Sequence, residues 1–287
     1  MDLSYEEWRP AGETGGAVTA FWAVAGDGAA IPSPAILPDG HVEIVFNLGD
    51  PVSLEGPAFT GGQPARAVVG LLSRAVRMAY RGRVRTFGIR LHPAWAAAVL
   101  SAHAADLTDR IRPLADVSPS LDRDLAKAAA ARPEVESEPG RSAIEAVLRD
   151  RVAYAAPPDP GVVGLVDDLC GREDSPNVGE MARRLGVTPR HLLRRFEATV
   201  GVPPKRFLRL IRFARAWQAA TMRPVEAWAG LAAEAGFSDQ AHMVREFRAF
   251  GAESPTHQFT KDWYPRTRVR RVSGPRRGVR SVQDPRG

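Results

Sequence analysis

The chain has 287 residues, 44% hydrophobic and 25% charged, the balance of a globular protein with room for two domains. Its single cysteine, Cys170, excludes an internal disulfide, and no apolar run approaches the roughly 18 residues of a membrane-spanning helix. The net charge of +6 is unevenly placed: residues 161–287 hold 23 Lys/Arg against 13 Asp/Glu, whereas residues 1–160 hold 16 against 20. A basic half beside a mildly acidic one suits a nucleic-acid-binding domain joined to a domain that binds something else. Eight of the arginines lie in residues 265–287, so the affinity of 161–264 must come from where its arginines sit. The acidic start, MDLSYEEWRP, lacks a signal-peptide pattern, and together with the lone cysteine it points to the cytoplasm.

Residues 1–92 read as strands and turns. Ala17 to Val24 is a short apolar strand with Phe21 and Trp22 on opposite faces, and Gly, Pro and Ser between Gly26 and Pro38 mark loops. In residues 41–48 alternation is clear: Val42, Ile44, Phe46 and Leu48 share one face, and His41, Glu43, Val45 and Asn47 the other. The preceding Pro38-Asp39-Gly40 is a turn signal. Further strands fall near 66–80 and 83–91, joined at Arg81-Gly82 as a hairpin turn. Short strands at this spacing predict a barrel or a sandwich.

From Pro93 the period becomes helical: AWAAAVLSA, then a loop or short helix over Leu107–Leu114, then helices over Ser120–Ala131 and Ser142–Ala155. These helices can cover one face of the strands or form a two-fold dimer seam. Residues 132–141 read as a surface loop, and APPDP at 156–160 as a stiff linker.

The C-terminal half opens with an amphipathic helix, Val162 to Cys170, ended by Gly171. Residues 178–196, VGEMARRLGVTPRHLLRRF, then give a short helix, a glycine (Gly186), a cap (Thr188) and a second helix with Pro189 at its first position. A long helix follows over Pro204–Thr221, burying Phe207, Leu210, Ile211, Ala214 and Trp217 and exposing Arg206, Arg209, Arg212 and Arg215. The pattern then repeats in WAGLAAEAGFSDQAHMVREFRAFG: a short helix, Gly236 as left-handed cap, Ser238 as N-cap, and a second helix from about Asp239 to Phe250. One such unit could be an ordinary helical hairpin. Two of them, joined by a rod of roughly 27 Å, fit two major-groove faces roughly 34 Å apart.

Residues Gly179 to Thr260 resemble the DNA-binding domain of the AraC/XylS family of transcription regulators, most densely at Ala233, Gly236, Phe237, Arg245, Phe247, Gly251, Ser254, Pro255 and Phe259. Met243 departs from the larger or more regular hydrophobe usual there, and Thr260 from the basic residue that often follows the aromatic. More loosely, ILPDGHVEIVFNLG (36–49) and TFGIRLHPAWAAAVL (86–100) look similar to sensor domains found ahead of such DNA-binding domains. The resemblance implies an α+β chain: an N-terminal β-barrel, possibly cupin-like, with flanking helices over 1–156, serving sensing or dimerisation. An all-α domain of two helix-turn-helix units joined by a long helix follows over 161–264; the Arg-, Pro- and Gly-rich composition of 265–287 separately predicts a disordered basic tail.

In the first recognition helix Leu192 and Phe196 face inward, leaving Arg190, Leu193 and Arg194 outward; arginine suits guanine and Leu193 could touch only a thymine methyl. In the second, Gln240 suits adenine, Arg245 guanine or phosphate, and His242 is ambiguous; a solvated basic face is the alternative throughout. If Val42, Ile44 and Phe46 pack under the helices, His41 and Glu43 line the lumen, where Trp22 offers a stacking surface and Arg90 a fork for an anionic group. A largely apolar cavity is expected there; in the opposite register these four residues are on the surface and Val, Ile and Phe fill the interior. No catalytic constellation or cofactor motif stands out, His41, Glu43 and His92 do not follow a metal motif, and Cys170 reads as a small buried hydrophobe. The expected partners are double-stranded DNA, RNA polymerase, a small-molecule effector and a second copy in a homodimer. Two other functions stay open: an effector-free DNA-binding protein whose N-terminal domain only dimerises or contacts polymerase, and a cupin-like enzyme fused to a DNA-binding domain.

Overall fold

The computed structural model describes residues 4–27 (apart from 13 and 15), 35–171, 176–222, 228–251 and 268–272. Its first half contains the strands β1 (Ser4–Trp8), β2 (Val18–Asp27), β3 (Ala35–Ile36), β4 (Val42–Asn47), β5 (Val52–Gly56), β6 (Phe59–Gly62), β7 (Arg66–Val69), β8 (Val76–Tyr80), β9 (Arg83–Leu91) and β10 (Ile111–Pro113). With β11 (Arg268–Val272) they make two sheets, a seven-stranded one in the order β10-β7-β4-β9-β2-β1-β11 and a four-stranded one in the order β3-β8-β5-β6.

Alternation along the strands sorts the core into two layers. On one face of the large sheet Phe21, Val42, Ile44, Phe46, Val68, Phe87, Ile89 and Leu91 are buried among the helices. The register sets Ile44 opposite Ile89 and Phe46 opposite Phe87, whose rings meet edge to face at 5.9 Å. On the other face Val45, Ala67, Val69 and Ile111 pack with Val52, Leu54 and Val76 of the small sheet. The 41–48 strand therefore turns Val42, Ile44 and Phe46 toward the helices and Glu43 toward the second sheet.

Strand spacing predicted a barrel or a sandwich, with a hairpin at Arg81-Gly82; among the described residues two open sheets face each other, and no closed barrel forms. The stretch 66–80 is two strands broken at 70–75, and β8 and β9 lie in different sheets. Asp50 fixes the crossing between them: its carboxylate accepts Arg83 N–H at 2.6 Å, and a Cβ on Gly82 would fall 2.2 Å from Asp50 Oδ2.

The helices α1 (Ala96–Leu100), α2 (Leu114–Val117), α3 (Pro119–Ala131) and α4 (Glu138–Tyr154) cover the large sheet, with a 3₁₀ turn at Ala104–Leu107. α4 begins inside the stretch read as a loop at 132–141. Ser137 caps it by accepting Gly140 N–H at 3.2 Å, with Pro139 in the first turn, where its missing N–H leaves no donor unpaired.

The second half holds α5 (Pro160–Gly171), α6 (Val178–Arg184), α7 (Pro189–Val200), α8 (Pro204–Met222), α9 (Trp228–Glu234) and α10 (Gln240–Gly251). α8 buries more than the single face read from sequence, adding Leu208, Phe213 and Ala216, because both helix-turn-helix units and the N-terminal half pack on it. Phe213 meets Phe247 at 4.9 Å and Phe196 meets Phe207 at 5.6 Å. One continuous apolar core thus runs from Phe21 and Ile44 through Phe207 and Ile211 to Phe247. Within the tail expected to be disordered, Arg268–Val272 instead forms a strand parallel to β1; the remaining tail residues, and Ser254, Pro255, Phe259 and Thr260, lie outside the described residues.

Candidate nucleic-acid interface and a polar cluster between the sheets

The two helix-turn-helix units close in the same way. After α6, Gly186 N–H donates to Arg183 O at 3.1 Å and Val187 N–H to Ala182 O at 3.0 Å. After α9, Gly236 N–H donates to Ala233 O at 3.0 Å and Phe237 N–H to Ala232 O at 2.9 Å. These are paired Schellman closures, which need a left-handed residue, and Gly186 and Gly236 supply it at φ 63° and 81°. Asn177 and Glu180 form a reciprocal capping box at the start of α6. Thr188 caps α7, accepting His191 N–H at 3.3 Å. The cap of α10 is Asp239 rather than Ser238: its carboxylate accepts His242 N–H at 2.6 Å, because the helix begins one residue later than expected.

In α7, Arg190 and Arg194 are exposed and Leu193 is half-buried. Arg194 lies 3.3 Å from the exposed His191 Nδ1. Arg195 points elsewhere: it forms a two-pronged pair with Asp159, which also caps α5 through Gly161 and Val162 N–H. That pair holds the Asp159 carboxyl below its ordinary range. In α10, Gln240 and Arg245 are exposed, whereas His242 folds back on its own turn, 3.1 Å from Ser238 Oγ and edge-on to Phe237 at 5.4 Å. Both recognition helices therefore present polar and basic residues in their first two turns.

The arginines of α8, read as an exposed row, are tied inward. Arg206 bonds Asp109 at 2.7 Å, Arg209 bonds the buried Glu246 at 3.0 Å, and Arg215 donates to Leu169 O at 2.5 Å. Arg212 is half-buried. Arg206 and Arg209 stay more than a third exposed, so these pairs lie at the rim of the packed helix and leave part of each guanidinium in water.

In the N-terminal half, Trp22, Glu43 and Arg90 meet in one bonded group. Glu43 Oε1 accepts Trp22 Nε1–H at 3.0 Å and Arg90 Nε–H at 3.0 Å. Arg90 also reaches Glu7 at 3.2 Å, and Glu7 accepts the Tyr5 hydroxyl at 2.6 Å. His41 joins through Asp39, whose Oδ2 lies 3.5 Å from His41 Nδ1 and 4.0 Å from Arg90 Nε. The side chains of Glu43 and Arg90 are only 14% and 22% exposed. Burial raises the Glu43 carboxyl above its ordinary value, and Arg90 opposes the rise. Glu7, Tyr5 and Asp39 were not singled out from sequence, although Asp39 sits in the recognised turn and Tyr5 and Glu7 share one alternation face. Asp39, His41 and Glu43 line a cavity of about 20 Å³ with Ile36, Leu37, Val69, Gly70 and Leu72. That is room for about one water, far from the drug-sized apolar cavity expected.

His92 stands apart from this group, buried and paired with Asp167 of α5 at 3.1 Å. Burial lowers its pKa, and Asp167 partly offsets that. Among the described residues no group of three or more His, Cys, Asp and Glu side chains could hold a metal ion. Cys170 is exposed, not buried as expected, because it falls on the outer side of α5 next to the buried Leu169. Among the described residues no helix is long and apolar enough to cross a membrane.

Two helix-turn-helix units sharing one central helix, each with its recognition helix open at the start, define a double helix-turn-helix protein. Its C-terminal part is an AraC-type helix-turn-helix domain: the family model described as a helix-turn-helix domain matches residues 181–261. A model described as a domain of unknown function (DUF6597) matches residues 6–113. No curated protein matches the chain. Among solved structures, the chain is similar to ToxT from Vibrio cholerae at 9% identity and a TM-score of 0.47, over 91% of this chain and 98% of that one. A second ToxT structure, bound to an unsaturated fatty acid, matches at 10% identity and a TM-score of 0.45, over 90% and 93%. The AraC-like transcriptional activator CuxR matches at 14% identity and a TM-score of 0.27, over 70% and 78%.

Proposed function

We propose that the protein is a sequence-specific DNA-binding transcription regulator that works in the cytoplasm and catalyses no reaction of its own. The observation that carries this reading is the pair of identically closed helix-turn-helix units with Arg190 and Arg194 exposed on one recognition helix and Gln240 and Arg245 on the other. Arginine presents two parallel donors to guanine O6 and N7, and glutamine presents a donor and an acceptor to adenine. Leu193 and His242 flank them, Leu193 as an apolar contact and His242 as a support for the turn. RNA polymerase and a second copy of the chain are the protein partners of this reading.

Control by a small-molecule effector belongs to the same proposal. The site is the group around Trp22, His41, Glu43 and Arg90, where buried charges lie beside a cavity between two sheets. An effector there must displace an existing bond, because the cavity has room for only about one water. The same small volume favours a second reading, in which the N-terminal half binds no effector and only dimerises or contacts polymerase.

Selection from a random duplex library with the full chain tests the DNA reading. On the enriched sequence, Arg194→Ala or Arg245→Ala should cost about 1–3 kcal/mol and relax the preference at one or two base pairs. Equal loss on specific and nonspecific DNA would remove these residues as base readers. Titration with a small-molecule library, followed by wild-type and Arg90→Gln thermal shifts, separates the two readings of the N-terminal half.

A further inference from the structure

Several hydrogen bonds between the two halves meet at a small knot of backbone where residues 70–75 cross residues 104–110. Leu71 bridges Thr108, Gly70 N–H donates to Arg110 O at 2.9 Å, and Asp109 N–H donates to Leu71 O at 3.0 Å. Gly70 lies so close to the crossing chain that a Cβ would come within 1.6 Å of Leu107 O. Asp109 adopts φ 51°, a left-handed conformation uncommon outside glycine. There its carboxylate turns onto the other loop, Oδ1 accepting Ser73 N–H at 2.6 Å and Oδ2 accepting the Ser73 hydroxyl at 2.8 Å.

This knot holds both helix-turn-helix units at once. Ala75 N–H donates to Phe250 O at 2.8 Å, near the C-terminal end of α10. Thr108 Oγ1–H donates to Gly201 O at 3.0 Å, just past the end of α7. Gly201, at φ 89°, is seated so tightly that a Cβ would fall 2.3 Å from Ala104 O. Between these two grips Arg206, in the first turn of α8, reaches Asp109 Oδ2 at 2.7 Å and Ser73 Oγ. Each recognition helix is thus fastened at the end opposite its exposed reading residues, and both are fastened to the same two loops. α8 already joins the two units through Phe207 against Phe196 and Phe213 against Phe247. The knot is a second connection between them, in parallel with α8.

We propose that the knot of residues 70–75 and 104–110 sets the separation and angle of the two recognition helices, and so determines which spacing of half-sites one monomer prefers. The N-terminal half then acts in site selection without touching a base, with Asp109, Thr108 and Arg206 as positioning residues. The inference rests on the DNA-binding reading above.

The test uses the full chain and the duplex it enriches from a random library, remade with one or two base pairs inserted or removed between the half-sites. Wild type, Asp109→Asn and Thr108→Val are compared on this series and on each half-site alone. Asparagine tolerates the left-handed backbone, so Asp109→Asn breaks the ion pair without adding strain. Thr108→Val removes only the donor to Gly201 and carries the test if Asp109→Asn does not fold. The expected result is a flatter spacing profile: preference for the best spacing over its neighbours falls by about fivefold, as for a modest coupling between sites. Half-site binding stays as in wild type. Spacing profiles of the folded variants that superimpose on the wild-type profile overturn this inference alone. A wild type that enriches no two-part site overturns the DNA-binding reading and this inference with it.

Discussion

Gly88 offers a way to disturb the polar group without changing any of its charges. It lies in β9 directly opposite Trp22, and the indole ring rests over its Cα. A Cβ at this position would fall 1.9 Å from Trp22 Cε2 and 2.4 Å from Nε1, distances at which the ring must leave. Moving it breaks the 3.0 Å bond from Nε1–H to the Glu43 carboxylate. Forcing a methyl into a packed site costs about 1–3 kcal/mol, and a hydrogen bond to a charged group contributes about 1.5–3 kcal/mol. The two overlap, since the displaced indole can partly rehydrate, so Gly88→Ala should lose about 2–4 kcal/mol. At about 2–4 °C per kcal/mol for a protein of this size, the midpoint falls by roughly 4–16 °C. Urea unfolding followed by circular dichroism and by tryptophan fluorescence measures it, and the Trp22 emission should shift to longer wavelength in the folded variant. A Gly88→Ala protein with the wild-type midpoint and emission would show that the ring is not seated on this glycine.

Two further outcomes follow from the geometry of the C-terminal half. Gly236→Val places a β-branched residue at φ 81°, which costs roughly 1–2 kcal/mol or more, and it should abolish binding through the second unit while the sheets stay folded; DNA binding set beside far-ultraviolet circular dichroism checks this. The Asp159 carboxyl is held below its ordinary value by Arg195, so its contribution is present above the unfolded pKa near about 4 and is lost as pH falls through the lower folded value. Asp159→Asn should therefore lower stability at neutral pH and narrow its gap to wild type below about pH 4, read from urea midpoints across pH; a gap independent of pH would refute the assignment.

The C-terminal half was legible because its signals are local. A glycine, a cap and an apolar spacing fix each turn within about ten residues, and the positive φ at Gly186 and Gly236 follows from that pattern. At the turns the slip was Ser238 for Asp239 as cap, a single residue at a helix start where two good capping residues stand side by side. The N-terminal half was legible only strand by strand. The alternation in 41–48 separated two faces without saying which one meets the helices, and β8 and β9 were joined wrongly, because sheet membership depends on Asp50 and Gly82 meeting across distant chain. The arginines of α8 show the same limit. Their spacing marks one helix face, but nothing in that spacing says that Asp109 and Glu246 are waiting opposite.

The apolar core that crosses from the sheets into α8 also bears on how the chain acquires its structure. Gly40, at φ 82° beside Asp39 and His41, lies so close that a Cβ would come within 2.8 Å of Ile211 Cδ1, with Phe207 alongside. During synthesis the sheets emerge first and hold an unfilled oily seat at that turn until the last third of the chain leaves the ribosome. A polypeptide cut at residues 156–160 would uncover Phe207 and Ile211 on one product and the turn at Gly40 that they cover on the other.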